Sequence, residues 1–341
     1  MGMVVMPDRK KYTVIMTGLF LTLCLVAVAS LFLGRYSLSV SDVIKVLFHT
    51  KWFAKDEASY SVIFSLRVPR VIAVMMVGGG LSVAGATFQA VLKNSLASPD
   101  VLGTSSASAF GAALGILFSF SFALSSLCSL FFGILSLLFV FGICYFKKRQ
   151  DELTTILSGI IIASVFISFI SIIKYVADPQ DTLPAIVFWL MGSFASVLKE
   201  QVYWLIPLYA ICYFAIYKLR WSMNIISLGD DEAKISGLNP QRLKIALLLL
   251  SSVLVSASVT IAGVVGWVGL VIPHLIRSVL GCNHGRLIPA SALAGALFLL
   301  IIDNIARSAT YAEIPIGILT SLIGAPLFAL LFIMSRRYDN S

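Results

Sequence analysis

Charged residues along this chain fall in short clusters, and the intervals between them are long and apolar. Residues 12–34, 71–92, 101–146, 153–173, 201–217, 245–276, 287–302 and 314–335 carry no Asp, Glu, Lys or Arg. A helix crosses a bilayer with roughly 20 apolar residues at about 1.5 Å per residue. The run 101–146 is too long for one crossing and is expected to fold back near residues 119–126. The run 245–276 is likewise expected to break near residues 263–269, where Gly263, Gly266 and Gly269 recur. The pattern predicts an all-α, polytopic membrane protein with about ten transmembrane helices.

Composition agrees with that reading. Of 341 residues, 59% are hydrophobic and only 12% charged, and mean hydropathy is +0.98. Soluble domains carry about 25% charged residues, so a water-facing fold would lack half of its usual solvating surface. The N-terminal Arg9, Lys10 and Lys11 followed by Ala27-Val28-Ala29 has the look of a cleavable signal, but residues 12–34 exceed the usual apolar segment of one. An uncleaved first helix is expected. Nothing in the pattern marks off a second domain, so residues 1–341 read as one transmembrane domain with a polar insert at about 222–243.

The net charge of +9 does not form a stripe, so no nucleic acid is expected. The basic residues instead report topology. With a cytoplasmic N-terminus, ten helices return the C-terminus to the same side. Lys147, Lys148, Arg149, Lys218, Arg220, Lys234, Arg242, Lys244, Arg277, Arg286, Arg336 and Arg337 then lie inside, as the positive-inside rule requires. Arg35, Lys45, Lys51, Lys55, Arg67 and Arg70 fall outside and break the rule. On residues alone, Arg67 and Arg70 could equally anchor a helix end at the headgroups.

The spans are nearly bare of the acids and histidines that ion-coupled carriers use. Asp303 is the main candidate, and an ion pair with Arg307 at i+4 accounts for it equally well. There is no HExxH, no GxSxG and no GxxxxGK[ST], so an intramembrane enzyme and a built-in ATPase both lack support. The five cysteines are scattered without ligand spacing. His274 stands alone, so no metal site and no cofactor are assigned. Small residues at Gly78-Gly79-Gly80, Gly85, Gly111 and Gly115 mark close helix contacts. A bundle of this kind must draw its energy from a partner. The insert around Asp230–Pro240 is the place for one: an acidic start, Gly237 as a helix stop and Asn239-Pro240 as a turn predict two short helices. A plain solvated loop is the alternative there.

Six separated motifs carry a resemblance that covers almost the whole chain. They are Leu66-Arg67-Val68-Pro69-Arg70; Gly85-Ala86-Thr87-Phe88-Gln89; Asn94-Ser95-Leu96-Ala97-Ser98-Pro99-Asp100-Val101-Leu102-Gly103; the Leu228-Gly229…Ala233…Gly237 insert; Gly269-Leu270-Val271-Ile272-Pro273-His274-Leu275-Ile276-Arg277; and Glu313-Ile314-Pro315-Ile316-Gly317 with Gly324-Ala325-Pro326. In this order the chain resembles the permeases of iron-siderophore, haem and vitamin B12 importers, the type II ABC importers. Ser95 stands where that family commonly has proline, and Ser236 where leucine usually precedes the glycine of the insert.

The resemblance implies a non-enzymatic permease homodimer, or a pair with a close paralogue, set in membrane lipid. Two ABC ATPase subunits would hydrolyse ATP, and an extracytoplasmic binding protein would deliver substrate, in the cytoplasmic membrane of a bacterial cell. It implies docking of that binding protein on Arg67, Arg70 and Arg307. It implies coupling to the ATPase through Leu228, Gly229, Asp230, Glu232, Ala233, Ser236, Gly237 and Leu238. Cytoplasmic gates are implied at Asn94, Ser95 and Leu96 and at Glu152, Leu153 and Thr154. Iron chelates are the commonest substrates of such permeases; haem, cobalamin and molybdate stay open. The competing reading is a self-sufficient secondary transporter of a small solute.

Overall fold

The computed structural model describes residues 9–34, 38–48, 57–147, 152–310 and 312–339. Arg35, Lys51, Lys55, Lys148 and Arg149 lie outside the described residues. Among the described residues every regular element is a helix. In chain order these are α1 (Arg9–Phe32), α2 (Val40–Phe48), α3 (Glu57–Ser61), a π-helical turn (Val62–Arg67), α4 (Val68–Val91), α5 (Thr104–Leu117), α6 (Phe122–Phe146) and α7 (Glu152–Val176). Then follow α8 (Thr182–Leu190), α9 (Lys199–Leu228), α10 (Asp230–Ile235), α11 (Pro240–Ala262), α12 (Val268–Leu280), α13 (His284–Ser308) and α14 (Ile316–Asp339).

Seven helices among the described residues are long and apolar enough to cross a membrane, and three shorter apolar ones accompany them. Both expected breaks occur. The chain turns between α5 and α6 at residues 118–121, with Ser121 capping α6, and it breaks between α11 and α12 where Gly263 takes φ +68°. Two boundaries differ from the sequence reading. The second apolar helix begins not at residue 71 but near Ser59, taking Arg67 and Arg70 into the bundle. The sixth runs on to Leu228, eleven residues past the apolar run. The helix α8 lies in a stretch for which no helix was expected.

The helix α4 is the axle of the bundle. Its neighbours are α13, α11, α12 and α9, and all but a few of its residues from Val71 onward are buried. That explains its run of small residues: a methyl on Gly85 would collide with the Gly269 carbonyl, and one on Gly78 with that of Gly295. Helix axes come close only where both backbones are bare, and contact area without a hydrophobic driving force then holds the helices together. Gly111 and Gly115 do the same for α5 on α6, facing Cys128 and Ser125.

The ends of the helices give the bundle two distinct poles. Arg307 at the end of α13 reaches the carbonyls of Ser30 and Leu33 at the end of α1. The start of α13 carries Arg286 over the ring of Tyr12, near the start of α1. Gly324 lies against Trp267, and the Phe328 ring lies 5.5 Å from His274, so α14 runs in the same direction as α12. The start of α1, α10 and the end of α14 therefore share one pole, and α8 with the α11–α12 break occupies the other.

Candidate functional site: the two poles of the bundle

Arg67, Arg70 and Arg307, the residues implied to dock a binding protein, lie at one pole with their guanidinium groups facing inward. Arg70 donates from Nη2 to Asp303 Oδ1 at 2.8 Å and from Nε to the same carboxylate at 3.1 Å. It also clamps Glu313, with Nη1 to Oε1 at 3.0 Å and Nη2 to Oε2 at 2.9 Å. One planar guanidinium thus serves two carboxylates, geometry that lysine could not supply. Asp303 is fully buried and the Arg70 side chain only 12% exposed.

Arg67 and Arg307 have a different task. Arg67 Nη1 donates to the Leu31 carbonyl at 2.6 Å, while Arg307 Nη2 donates to Ser30 O at 2.8 Å and also contacts Asn304 Oδ1. The last carbonyls of a helix have no partners within it and carry its negative end; here two guanidinium groups supply them. The expected i,i+4 pair of Asp303 with Arg307 exists at 3.7 Å, but it is buried, and Arg70 is the nearer partner. Three arginines and two carboxylates give this cluster one net positive charge beside a cavity of about 310 Å³.

At the opposite pole, the two segments expected to act as gates and the polar insert expected to couple to the ATPase meet on a single lysine. Lys93 follows α4 in a left-handed conformation, φ +45°. Its Nζ lies 3.3 Å from Glu152 Oε1 at the start of α7 and 3.5 Å from Asp230 Oδ1 on α10. Lys244 on α11 holds Asp230 from the other side at 2.7 Å. Burial alone would push the Asp230 carboxyl up, but the Lys244 hydrogen bond and the two cations outweigh it and hold it below the ordinary carboxylate range. Asn94, Ser95 and Leu96 continue directly from Lys93, the Asn94 side chain accepting from Leu96 N at 2.9 Å. Leu153 is exposed and Thr154 buried beside Glu152.

The insert is simpler than expected. Residues 222–228 belong to α9 and residues 240–243 to α11, leaving one short helix, α10, where two were forecast. Gly229 precedes it, and Gly237 ends it with φ +77° and no atom within 4 Å of where a Cβ would be. Ala233 is buried against the chain itself, whereas Glu232 and Ser236 are exposed and Leu238 half-buried. Leu228 and Ile235, 75% and 87% exposed, are the large apolar side chains that residues 222–243 expose. Ile235 was not among the sequence candidates, because its exposure depends on the length of α10. Lys93 and Lys244 were missed for a like reason: nothing in their spacing shows that they meet Asp230.

These features, an axle helix with a charge cluster at each end, accompany a sequence that a single family model covers. Residues 21–334 match the FecCD transport family, and the chain belongs to it. It is therefore an ABC importer permease of the metal-chelate type, a multi-pass membrane subunit and not a known enzyme. It is similar to the molybdate import system permease protein MolB of Haemophilus influenzae, 42% identical over 97% of this chain and 98% of that protein. It is 33% identical to the hemin transport system permease protein HmuU of Yersinia pestis, over 93% of this chain and 95% of that one. A solved inward-facing ABC transporter assigned to the metal-chelate type superposes with a TM-score of 0.84 at 40% identity, covering 94% of this chain and 99% of the other.

Proposed function

We propose that this permease, as a dimer, moves a compact metal oxyanion of the molybdate class across the bacterial cytoplasmic membrane. An extracytoplasmic protein delivers it and two ATPase subunits power the step. The observation that carries the substrate class is the 42% identity with a molybdate permease over nearly both whole chains, against 33% with the haem permease. An iron chelate, the commonest cargo of such permeases, is the second reading, favoured by the haem-transporting relative.

The pole bearing α10 serves the ATPase subunits. Leu228 and Ile235 offer two apolar side chains beside the acidic start of α10, and Lys93 ties that helix to both gate segments, so a push on α10 reaches Asn94–Leu96 and Glu152–Thr154 directly. Asp230, Glu232 and Gly229 shape the docking helix; Ala233, Ser236, Gly237 and Leu238 hold its exit turn. The other pole receives the binding protein. Its cavity is cationic with Arg67, Arg70 and Arg307 in the wall, so acidic residues of a partner are attracted there. These arginines also hold the fold, so docking there is tested by ionic strength, not by charge reversal.

The substrate test is ATP-driven uptake into proteoliposomes holding the permease and its ATPase, supplied with the binding protein and a panel of molybdate, tungstate, haem, ferric siderophores and cobalamin. Molybdate and tungstate should be taken up and should compete with each other. Uptake of a ferric chelate alone would replace the oxyanion assignment with the second reading. Uptake that persists without any ATPase would point to a secondary carrier.

A further inference from the structure

Between the end of α4, the last turns of α9 and the α12–α13 turn lies a cavity of about 620 Å³. Its lining includes Arg277 and Arg286 and no carboxylate. Lys93 borders it too, but that charge is already held by Glu152 and Asp230. Three lining side chains each carry a buried polar atom with no hydrogen-bond partner: Arg277 Nη1, Gln89 Oε1 and His284 Nε2. Gln89 and His284 are almost wholly buried. Native interiors satisfy nearly all such groups, so three in one wall call for an explanation.

The chemistry of the three atoms differs. Arg277 Nη1 is a charged donor that needs an anionic acceptor. Gln89 uses its Nε2 on the Leu270 carbonyl at 3.3 Å, which leaves Oε1 as an acceptor. His284 Nδ1 lies 2.9 Å from Asn224 Oδ1, which also accepts from the His284 backbone N–H at 2.8 Å, while Asn224 Nδ2 faces Asn283 Oδ1. That network assigns the ring proton to Nδ1 and leaves Nε2 an acceptor. The absent ligand thus combines an anion for arginine with N–H or O–H donors for two acceptors. A rim residue, Trp221, is exposed, as tryptophans are at membrane–water interfaces. Exposed Leu228 stands beside it.

We propose that this cavity holds the headgroup of a phospholipid from the adjacent leaflet, its phosphate on Arg277 and Arg286 and its ammonium or hydroxyl hydrogens on His284 Nε2 and Gln89 Oε1. Basic pockets between transmembrane helices bind lipid headgroups by this chemistry. The donor requirement makes it selective: ethanolamine and glycerol headgroups satisfy the two acceptors, whereas the quaternary ammonium of choline has no hydrogen to give.

The test is native mass spectrometry of the full-length chain, delipidated and then titrated with phosphatidylethanolamine, phosphatidylglycerol, phosphatidylcholine or inorganic phosphate. Phosphatidylethanolamine and phosphatidylglycerol should be retained at least about tenfold better than phosphatidylcholine, at one molecule per chain. Arg277→Gln should lower retention of all three lipids, which share the phosphate, and Arg277→Lys should keep part of it, whereas Gln89→Leu should weaken the preference over phosphatidylcholine. Equal retention of all three lipids in the wild-type chain overturns the proposal, and that arm stands even if the variants do not fold. Saturation by inorganic phosphate with no lipid selectivity would make this a soluble-oxyanion site. Release of bound lipid on adding the ATPase subunit would assign the cavity to a partner's acidic side chain, and either result overturns the lipid occupant.

Discussion

The two poles of this molecule each hold a small cluster of opposite charges, and the clusters behave oppositely because their burial differs. Around Arg70 the carboxylate of Asp303 has no exposure at all, and the arginine reaches two acids and links α4, α13 and the segment before α14. Around Lys93 the partners are open to water, with the Asp230 side chain 44% exposed and contact distances of 3.3 and 3.5 Å. Buried pairs are costly to break because the survivor is left charged in a low dielectric. Exposed pairs contribute only about 0.2–1 kcal/mol each and exchange readily. The cluster around Arg70 is therefore a brace, and the one around Lys93 is a joint whose contacts are cheap to open and close.

The largest effect should follow from removing one member of the brace. Asp303→Ala leaves Arg70 half-satisfied and Arg307 without its only carboxylate contact among the described residues, at a cost of about 3–5 kcal/mol. A steep drop in melting temperature and in folded yield from membranes should be seen. A melting temperature close to wild type would show that the outer cluster is no brace. Next in size is a change in the axle: Gly85→Val drives a side chain into the Gly269 backbone and should cost about 1–3 kcal/mol, read as a lower melting temperature at normal membrane insertion.

The joint should respond in the opposite way. Lys93→Gln should shift stability by less than about 1 kcal/mol yet reduce ATP-driven uptake several-fold, because it uncouples α10 from both gate segments. Full uptake by that variant would reduce Lys93 to a surface charge. The smallest effect concerns acidity. Asp230 is held below the ordinary carboxylate range, so its contribution is complete above about pH 4 and lost only as pH falls through its lowered value. Stability measured from pH 7 down to 5 should therefore be the same for wild type and Asp230→Asn in its pH dependence, with differences confined to stronger acid.

Much of this could be read from the chain. The apolar runs located the spans because a bilayer leaves the backbone no alternative to a helix, and the glycine-rich break at 263–269 was legible because glycine takes a positive φ there. The second helix starts well before its apolar run, because charge does not end a span when the bundle supplies partners for it. Arg67 and Arg70 are tolerated inside the bundle by Asp303, Glu313 and the α1 carbonyls, partners up to 243 residues away in the chain. Long separation likewise hides Lys93, whose partners are Glu152 and Asp230, whereas Lys244 meets Asp230 only because α10 and the turn after it fold the chain back. Replacing Ala233 with a bulky residue would disturb the chain's own interior, since Ala233 is fully buried.

Engagement of the ATPase at the α10 pole can be measured directly through Leu228 and Ile235. The double variant Leu228→Asp, Ile235→Asp changes two side chains that project into solvent, so the melting temperature of the isolated permease should stay near that of the wild type. The quantity to measure is the ATPase subunit that co-purifies with the permease from membranes. The prediction is loss of most of that subunit, about tenfold or more, from a permease that is otherwise folded. Undiminished co-purification with the folded double variant would contradict the claim and place the ATPase elsewhere on the bundle.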